Sequence, residues 1–214
     1  MSIQVMVASN EHIPFAETIC EMMESSAKVR GTGIAKRDPA YIRRKMEEGK
    51  GVIALDGEAV VGFCYIESWD EQKYVANSGL IVHPDYRGTG LARQIKLQTF
   101  NLSKKMFPNA KLFGITTSLP VMKINSELGY KPVTFSELTK DEVFWKGCNS
   151  CVNVDILTRT NRSMCLCTAM VCDLSQTKPT EVDKPKAWNR FTDFVKSRRA
   201  AKSGILKNYN DDKK

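Results

Sequence analysis

The sequence predicts a fold of the α/β (α+β) class, and three observations lead there. From Ile3 to Leu138, short apolar runs rich in β-branched residues alternate with segments of helical periodicity. The dipeptide Asp56-Gly57 joins two of those runs and is the strongest short hairpin signal in the chain. The stretch from Leu80 to Ala92 (LIVHPDYRGTGLA) passes from a strand, through a glycine-rich loop, into the start of a helix.

Taken in order, Ile3 to Ala8 alternates as a first strand. Asn10 is a good N-cap for a helix from Glu11 to about Ser26, with Ile13, Ala16, Ile19, Cys20 and Met23 at helical spacing. The polar, glycine-containing segment Lys28 to Arg37 reads as a loop. Asp38 and Pro39 open a second helix that runs to about Glu48 and stops at Gly49. Gly51 to Leu55 and Glu58 to Trp69 are the two hairpin strands, and a break around Asp70 to Lys73 precedes a fourth strand, Tyr74 to Val82. The helix after the glycine loop extends to about Met106, with Leu91, Ile95, Leu102 and Met106 on one face. Lys111 to Thr117 reads as a strand. Ser118 caps a short helix that ends at Gly129, Tyr130 to Leu138 is another strand, and Ser163 to Cys172 is the last.

Composition bounds the function classes. The chain has 214 residues, 42% of them hydrophobic and 26% charged, as expected of an ordinary globular protein. It has no apolar run long enough to span a membrane, and its first residues lack the pattern of a signal peptide, so a cytoplasmic location is expected. The net charge of +8 is uneven: residues 178–214 hold eleven Lys or Arg against five Asp or Glu. Without an aromatic or groove-reading motif, this basicity reads as a solvated tail and no nucleic-acid partner is expected.

The loop carries the first functional reading. Arg87 to Ala92 has the form Arg-x-x-Gly-x-Ala, and Gly88 and Gly90 put no Cβ between the backbone and a ligand. The first N–H groups of the following helix point back at the loop, a geometry that binds phosphate. The Lys-Ser/Thr pair of a nucleotide P-loop is absent, as is the three-glycine dinucleotide fingerprint. From Val82 through Ala92 the sequence resembles the acetyl-CoA motif of the GNAT acyltransferase family. That resemblance implies a mixed twisted sheet of six to seven strands flanked by about four helices, with acetyl-CoA as acyl donor. It gives the pyrophosphate to backbone groups of Arg87, Gly88, Gly90, Leu91 and Ala92. It also implies that the fourth strand splays from the next one, freeing the N–H groups of Leu80, Ile81 and Val82 for the acyl carbonyl and the pantetheine arm.

Acyl transfer also needs a base for the amine. Many family members use a glutamate on the third or fourth strand, and Glu67 is the best-placed carboxylate, with a solvated strand-end charge as the alternative. Histidine is a common proton carrier near neutral pH, but His83 sits at the motif's own turn, where a structural role is favoured. The tyrosine with which many members protonate the leaving thiolate corresponds here to Asn125, which has no ionisable proton. Three segments are similar to the acetyltransferase domain of N-acetylglutamate synthases: Gly33 to Asp38, Phe113 to Thr117 with the helix ending at Tyr130, and Asn161 to Cys165. The likeness implies an amino-acid acceptor of the glutamate or ornithine type, hence a role in amino-acid metabolism, with its carboxylates meeting Lys36, Arg37 or Arg162. Protein lysines and polyamines remain alternative acceptors. So does a catalytically silent acetyl-CoA-binding or interaction protein.

Two C-terminal features complete the reading. Cys148, Cys151, Cys165 and Cys167 supply Cys-x-x-Cys and Cys-x-Cys at zinc-like spacing, so a structural zinc is weighed against small core residues. The acetyltransferase domain is expected over residues 1–174, with a cysteine-containing insert at 139–162. Residues 175–214 are expected to form a basic linker, an amphipathic helix from Ala187 to about Lys202 and a disordered end. That helix would pack on the core or on a second copy in a homodimer.

Overall fold

In the computed structural model, which describes residues 3–30, 37–149 and 151–177, β1 (Gln4–Val7) leads through a 3-10 turn, Asn10–Phe15, into α1 (Ala16–Arg30). The helix starts later than expected because Pro14 has no N–H to give to a helical bond. It also runs past Ser26 into the segment read as loop. The cap lies one residue before Asn10, where the Ser9 N–H donates to His12 Nδ1 at 3.0 Å. Next comes α2 (Pro39–Glu47), capped as expected by the Asp38 carboxylate accepting from the Ala40 N–H at 2.7 Å.

The sheet follows: β2 (Gly51–Asp56), β3 (Ala59–Trp69) and β4 (Tyr74–Val82), then α3 (Leu91–Met106), β5 (Lys111–Thr116) and α4 (Leu119–Glu127). Beyond these lie β6 (Lys131–Val133), α5 (Glu142–Lys146), α6 (Val154–Arg159) and β7 (Thr168–Asp173). Seven strands form one mixed sheet in the order β1-β2-β3-β4-β5-β7-β6. All neighbours are antiparallel except β4 and β5. The described residues hold six α-helices where about four were expected, and the two extra ones, α5 and α6, are short and lie between β6 and β7, in the segment expected as an insert.

The last two strands depart from expectation. β6 is three residues long instead of spanning Tyr130 to Leu138. Pro132 cannot donate a ladder bond at this edge, and the chain turns into a 3-10 segment at Phe135–Glu137. β7 begins at Thr168 instead of Ser163, because Asn161 and Arg162 take positive φ values of 48° and 62° and turn the chain after α6. The predicted helix and tail beyond residue 177 lie outside the described residues.

Alternating side chains give the sheet two covered faces. On the front, Ile53, Phe63, Tyr65 and Ile81 pack under α1 and α2, while Phe113, Trp69 and Tyr74 pack with Trp145 and Leu157 of the insert. On the back, Val52, Ala54 and Cys64 meet Leu91 and Ile95 of α3, and Ile66, Val75 and Leu112 meet Phe100 and Tyr130.

Candidate active site

The β4–β5 seam is the feature that makes a site. Its parallel register covers Tyr74↔Lys111, Val75↔Leu112 and Ala76↔Phe113 and then stops. From Asn77 onward β4 stays paired with β3 on one side only, so its other edge faces an open gap. A bulge sharpens the departure: Phe63 opposes Ile81 and Tyr65 opposes Ser78, so Gly79 and Leu80 together oppose the single residue Cys64. Gly79 has φ +64°, and a Cβ there would lie 2.3 Å from the Tyr65 ring, so only glycine fits. A cleft of about 1280 Å³ runs through the gap. Leu80 lines it; Ile81 and Val82 are buried beside it, at 1% and 8% exposure.

At the far end of β4 the chain turns through Pro84–Tyr86 into the glycine loop. Gly88 and Gly90 have φ of +76° and +87°, and Gly90 is the N-cap of α3. Arg93 and Gln94 both donate to the Gly90 carbonyl. The N–H groups of Gly90, Leu91 and Ala92 thus precede the helix's own bonds and are free to meet an anion. A Cβ on Gly88 would meet nothing within 4 Å, so the loop presents open space. The Arg87 side chain is committed elsewhere: its Nε donates to the Val82 carbonyl at 3.2 Å and its Nη2 to Ser26 Oγ at 2.9 Å. It ties the loop to β4 and α1, and the Arg87 backbone N–H, expected to meet the pyrophosphate, donates instead to the Pro84 carbonyl at 3.1 Å.

Glu67 stands on the front face opposite Ala76, level with the last β4–β5 pair. Its Oε2 accepts from Lys45 Nζ of α2 at 3.0 Å, and its Oε1 is buried with no donor. Burial raises its carboxyl to about 7, against the attraction of Arg37; burial also lowers the Lys45 ammonium to about 8. A carboxylate so poised can take a proton near neutral pH. Arg37, Arg44 and Lys45 line the same front wall. Arg37 Nε donates to Tyr65 Oη at 2.6 Å, and the guanidinium lies 5.8 Å from the Tyr41 ring. Lys36 lies outside the described residues.

Other candidates are placed elsewhere. His83 Nδ1 accepts from the Asp85 N–H at 3.4 Å and serves the turn before the glycine loop. Arg162 makes a two-pronged ion pair with Glu142, at 2.6 and 2.8 Å, and stacks 5.6 Å from the Trp145 ring. It braces the insert and does not line the cleft. Asn125 does line it, at 1% exposure, with its side-chain oxygen unpaired.

The zinc expectation is corrected. Cys148, Cys151, Cys165 and Cys167 all line the outer lobe of the cleft, and burial and the neighbouring thiols push Cys167 up to about 12. Yet among the described residues no group of three or more His, Cys, Asp or Glu stands placed to hold a metal ion. Cys148, Cys165 and Cys167 pack instead against the aromatic cluster around Trp145. Spacing alone suggested ligands; the alternative of two core residues on the last strand is also modified, since the turn at Asn161 and Arg162 leaves Cys165 and Cys167 before β7.

Sequence reasoning missed Lys45, Tyr65 and Lys96. The signal for Lys96 was present: it falls inside the apolar stripe of α3, between Ile95 and Thr99. Lys45 and Tyr65 join the site through long-range contacts that periodicity does not carry.

Residues 18–105 match the family described as acetyltransferase (GNAT). No curated protein matches the sequence significantly. Among solved structures, the chain is similar to N-acetylglutamate synthase of Neisseria gonorrhoeae complexed with coenzyme A and N-acetyl-glutamate. There the TM-score is 0.57 at 14% identity, over 81% of this chain and 35% of that one. It is also similar to phosphinothricin acetyltransferase of Sinorhizobium meliloti complexed with acetyl-CoA, with TM-score 0.54 at 18% identity over 86% and 97% of the two chains. A third is a ribosomal-protein alanine N-acetyltransferase of Escherichia coli, with TM-score 0.51 at 11% identity over 83% and 97%. At these identities the likeness is one of fold. This chain spans about a third of the length of the N-acetylglutamate synthase chain. Among the described residues no helix is long and apolar enough to cross a membrane.

Proposed function

We propose, from the premise that the chain carries a GNAT-family acetyltransferase domain, that it moves an acetyl or similar acyl group from acyl-CoA to the primary amine of a small amino acid of the glutamate or ornithine type. The observation that carries this reading is the opening of the β4–β5 gap beside Glu67. An acyl group laid in the gap meets free β4 donors and a base at the same level.

The pyrophosphate would rest on the free N–H groups at Gly90, Leu91 and Ala92, with the pantetheine arm running down the open edge of β4. The acceptor amine would approach from the front face. Glu67 would take its proton as nitrogen attacks the thioester carbonyl, and backbone donors at the bulge would hold the carbonyl oxygen as charge develops there. Arg37 and Arg44 give the acceptor's carboxylate a cationic wall. The same wall disfavours polyamines, which would bring like charge to it. A peptide lysine is the second reading, favoured by the length of the cleft, which continues past Trp69 and Phe113 to the insert. A silent acyl-CoA-binding protein, in which Glu67 serves only as the partner of Lys45, is the reading that turnover would exclude.

The test is thiol release from acetyl-CoA and succinyl-CoA against the amino acids, common polyamines and lysine peptides. Turnover with an amino acid carrying a free carboxylate is expected. Turnover with peptide lysine alone would move the assignment to proteins, and acyl-CoA binding without turnover on any acceptor would leave only a binding role.

A further inference from the structure

On the back of the sheet, opposite Glu67, the gap ends on two buried polar side chains that the protein itself leaves unsatisfied. Lys96 of α3 is 2% exposed and lines the cleft. Among the described residues its ammonium has no hydrogen bond and no ion pair; it lies over the Tyr130 ring, 5.4 Å from the centroid. A buried ammonium without a counter-charge is costly, so its persistence points to a ligand that supplies one. Asn125 of α4 is 1% exposed, lines the same cleft and leaves its side-chain oxygen without a donor.

Both sit at the start of the gap, one beneath each strand. Asn77, the first β4 residue past the last β4–β5 pair, accepts from Tyr130 Oη at 3.3 Å, and the ring of that tyrosine carries Lys96. Gly114, the first β5 residue past the same pair, lies over Asn125: a Cβ there would be 3.5 Å from the Asn125 amide nitrogen. The titratable groups facing Lys96 are Cys64 of β3 and Tyr130 just before β6, and burial keeps both neutral. Burial also holds the Lys96 ammonium below the usual lysine range, which makes it a readier proton donor.

We propose that Lys96 receives the thiolate of coenzyme A as it leaves, holding it by charge and giving it a proton, while Asn125 accepts a hydrogen bond from a pantetheine N–H. This rests on the acyl-CoA reading above and supplies the acid that Asn125 cannot be. As the amine nitrogen bonds to the carbonyl carbon, its proton passes to Glu67. The C–S bond breaks with its electron pair on sulfur, and one proton moves from Lys96 Nζ to sulfur. The products are the amide, the free thiol, a neutral Glu67 and a neutral Lys96; transfer of the proton from Glu67 to Lys96 through water restores the start. Placing base and acid on opposite faces of the sheet keeps them from pairing with each other and lets attack and departure proceed from opposite sides of the gap.

The test reads the thiol directly, without an acceptor. Coenzyme A bound to the protein is titrated by thiolate absorbance, with the desulfo-coenzyme A complex as blank. In the wild type the bound thiol should ionise about 1–3 pH units below free coenzyme A. Lys96→Met should return it to the free value while binding desulfo-coenzyme A as the wild type does. Lys96→Arg should keep the shift yet, in a second assay with the acceptor amine present, lose thiol release from acetyl-CoA, because a guanidinium does not give up its proton. An unshifted thiol in the wild type, or a shift that survives Lys96→Met, overturns the proposal and leaves the acyl-CoA reading standing. Failure of the wild type to bind coenzyme A overturns both.

Discussion

Glu67 and Lys45 lie 3.0 Å apart, with the carboxyl raised to about 7 and the ammonium lowered to about 8, so both are charged only in a narrow range near neutrality. The base form of Glu67 appears as pH rises through its value, so the rate of acyl transfer should climb between about pH 6 and about pH 8. In Glu67→Gln that limb should vanish and the rate fall by about 10²–10⁴-fold, with acetyl-CoA affinity kept; a retained limb would assign it to another group. Arg37 should act on the acceptor alone. Arg37→Met is expected to raise the acceptor KM about tenfold or more at an unchanged acetyl-CoA KM, the loss of one charge-assisted contact of about 1.5–3 kcal/mol. Equal effects on both substrates would place Arg37 in the frame and not in the acceptor site. At this scale a residue's place on its strand was legible, as for Glu67 near the end of β3. It was not legible for Lys45, which reaches Glu67 from α2 across the fold.

The elements that could be read from sequence are those whose boundaries are local. Asp38 with Pro39, Asp56-Gly57 and Ser118 all fall where the structure puts a cap or a turn. The insert could not be read this way, because α5 and α6 are only 5 and 6 residues long and are held by Trp145 and Leu157 packing on Phe113 and Ala169 of the sheet. Nor could the bulge in β4, since nothing local in Ser78-Gly79-Leu80 says that two residues must oppose one on β3. The bulge nonetheless sets the site, and Gly79→Ala tests it. A Cβ 2.3 Å from the Tyr65 ring, at φ +64°, should destabilise the fold by about 1–2 kcal/mol from the left-handed backbone alone. The clash adds to that, and moving Tyr65 also disturbs its bond to Arg37. A lowered melting temperature with weakened acyl-CoA binding is expected, read by thermal denaturation and calorimetry. Arg162→Met is the matching control on the insert. Its pair with Glu142 is exposed and screened by solvent, so acceptor KM should stay put, and a clear rise would return Arg162 to the substrate site.

At the scale of the whole sheet, the seam that makes the site also divides the molecule. β1 to β4 form one antiparallel group and β5, β7 and β6 another, and only three residue pairs join β4 to β5. The gap beyond them therefore carries an unpaired strand edge and a large open cleft through the middle of the protein. A ligand that pairs with that edge while its pyrophosphate sits on α3 would couple the two groups and bind the folded state only. Stabilisation then follows mass action, about 2.7 kcal/mol at a hundredfold excess over the dissociation constant. The two anchors make separable contributions. Acetyl-pantetheine can occupy the gap but has no pyrophosphate for the N–H groups of Gly90, Leu91 and Ala92, so at equal concentration it should raise the melting temperature less than acetyl-CoA. Added salt should narrow the difference, since the loop contact is electrostatic. Equal shifts from both ligands would mean that the loop does not hold the pyrophosphate. A shift from neither would mean that the gap is not where the cofactor lies.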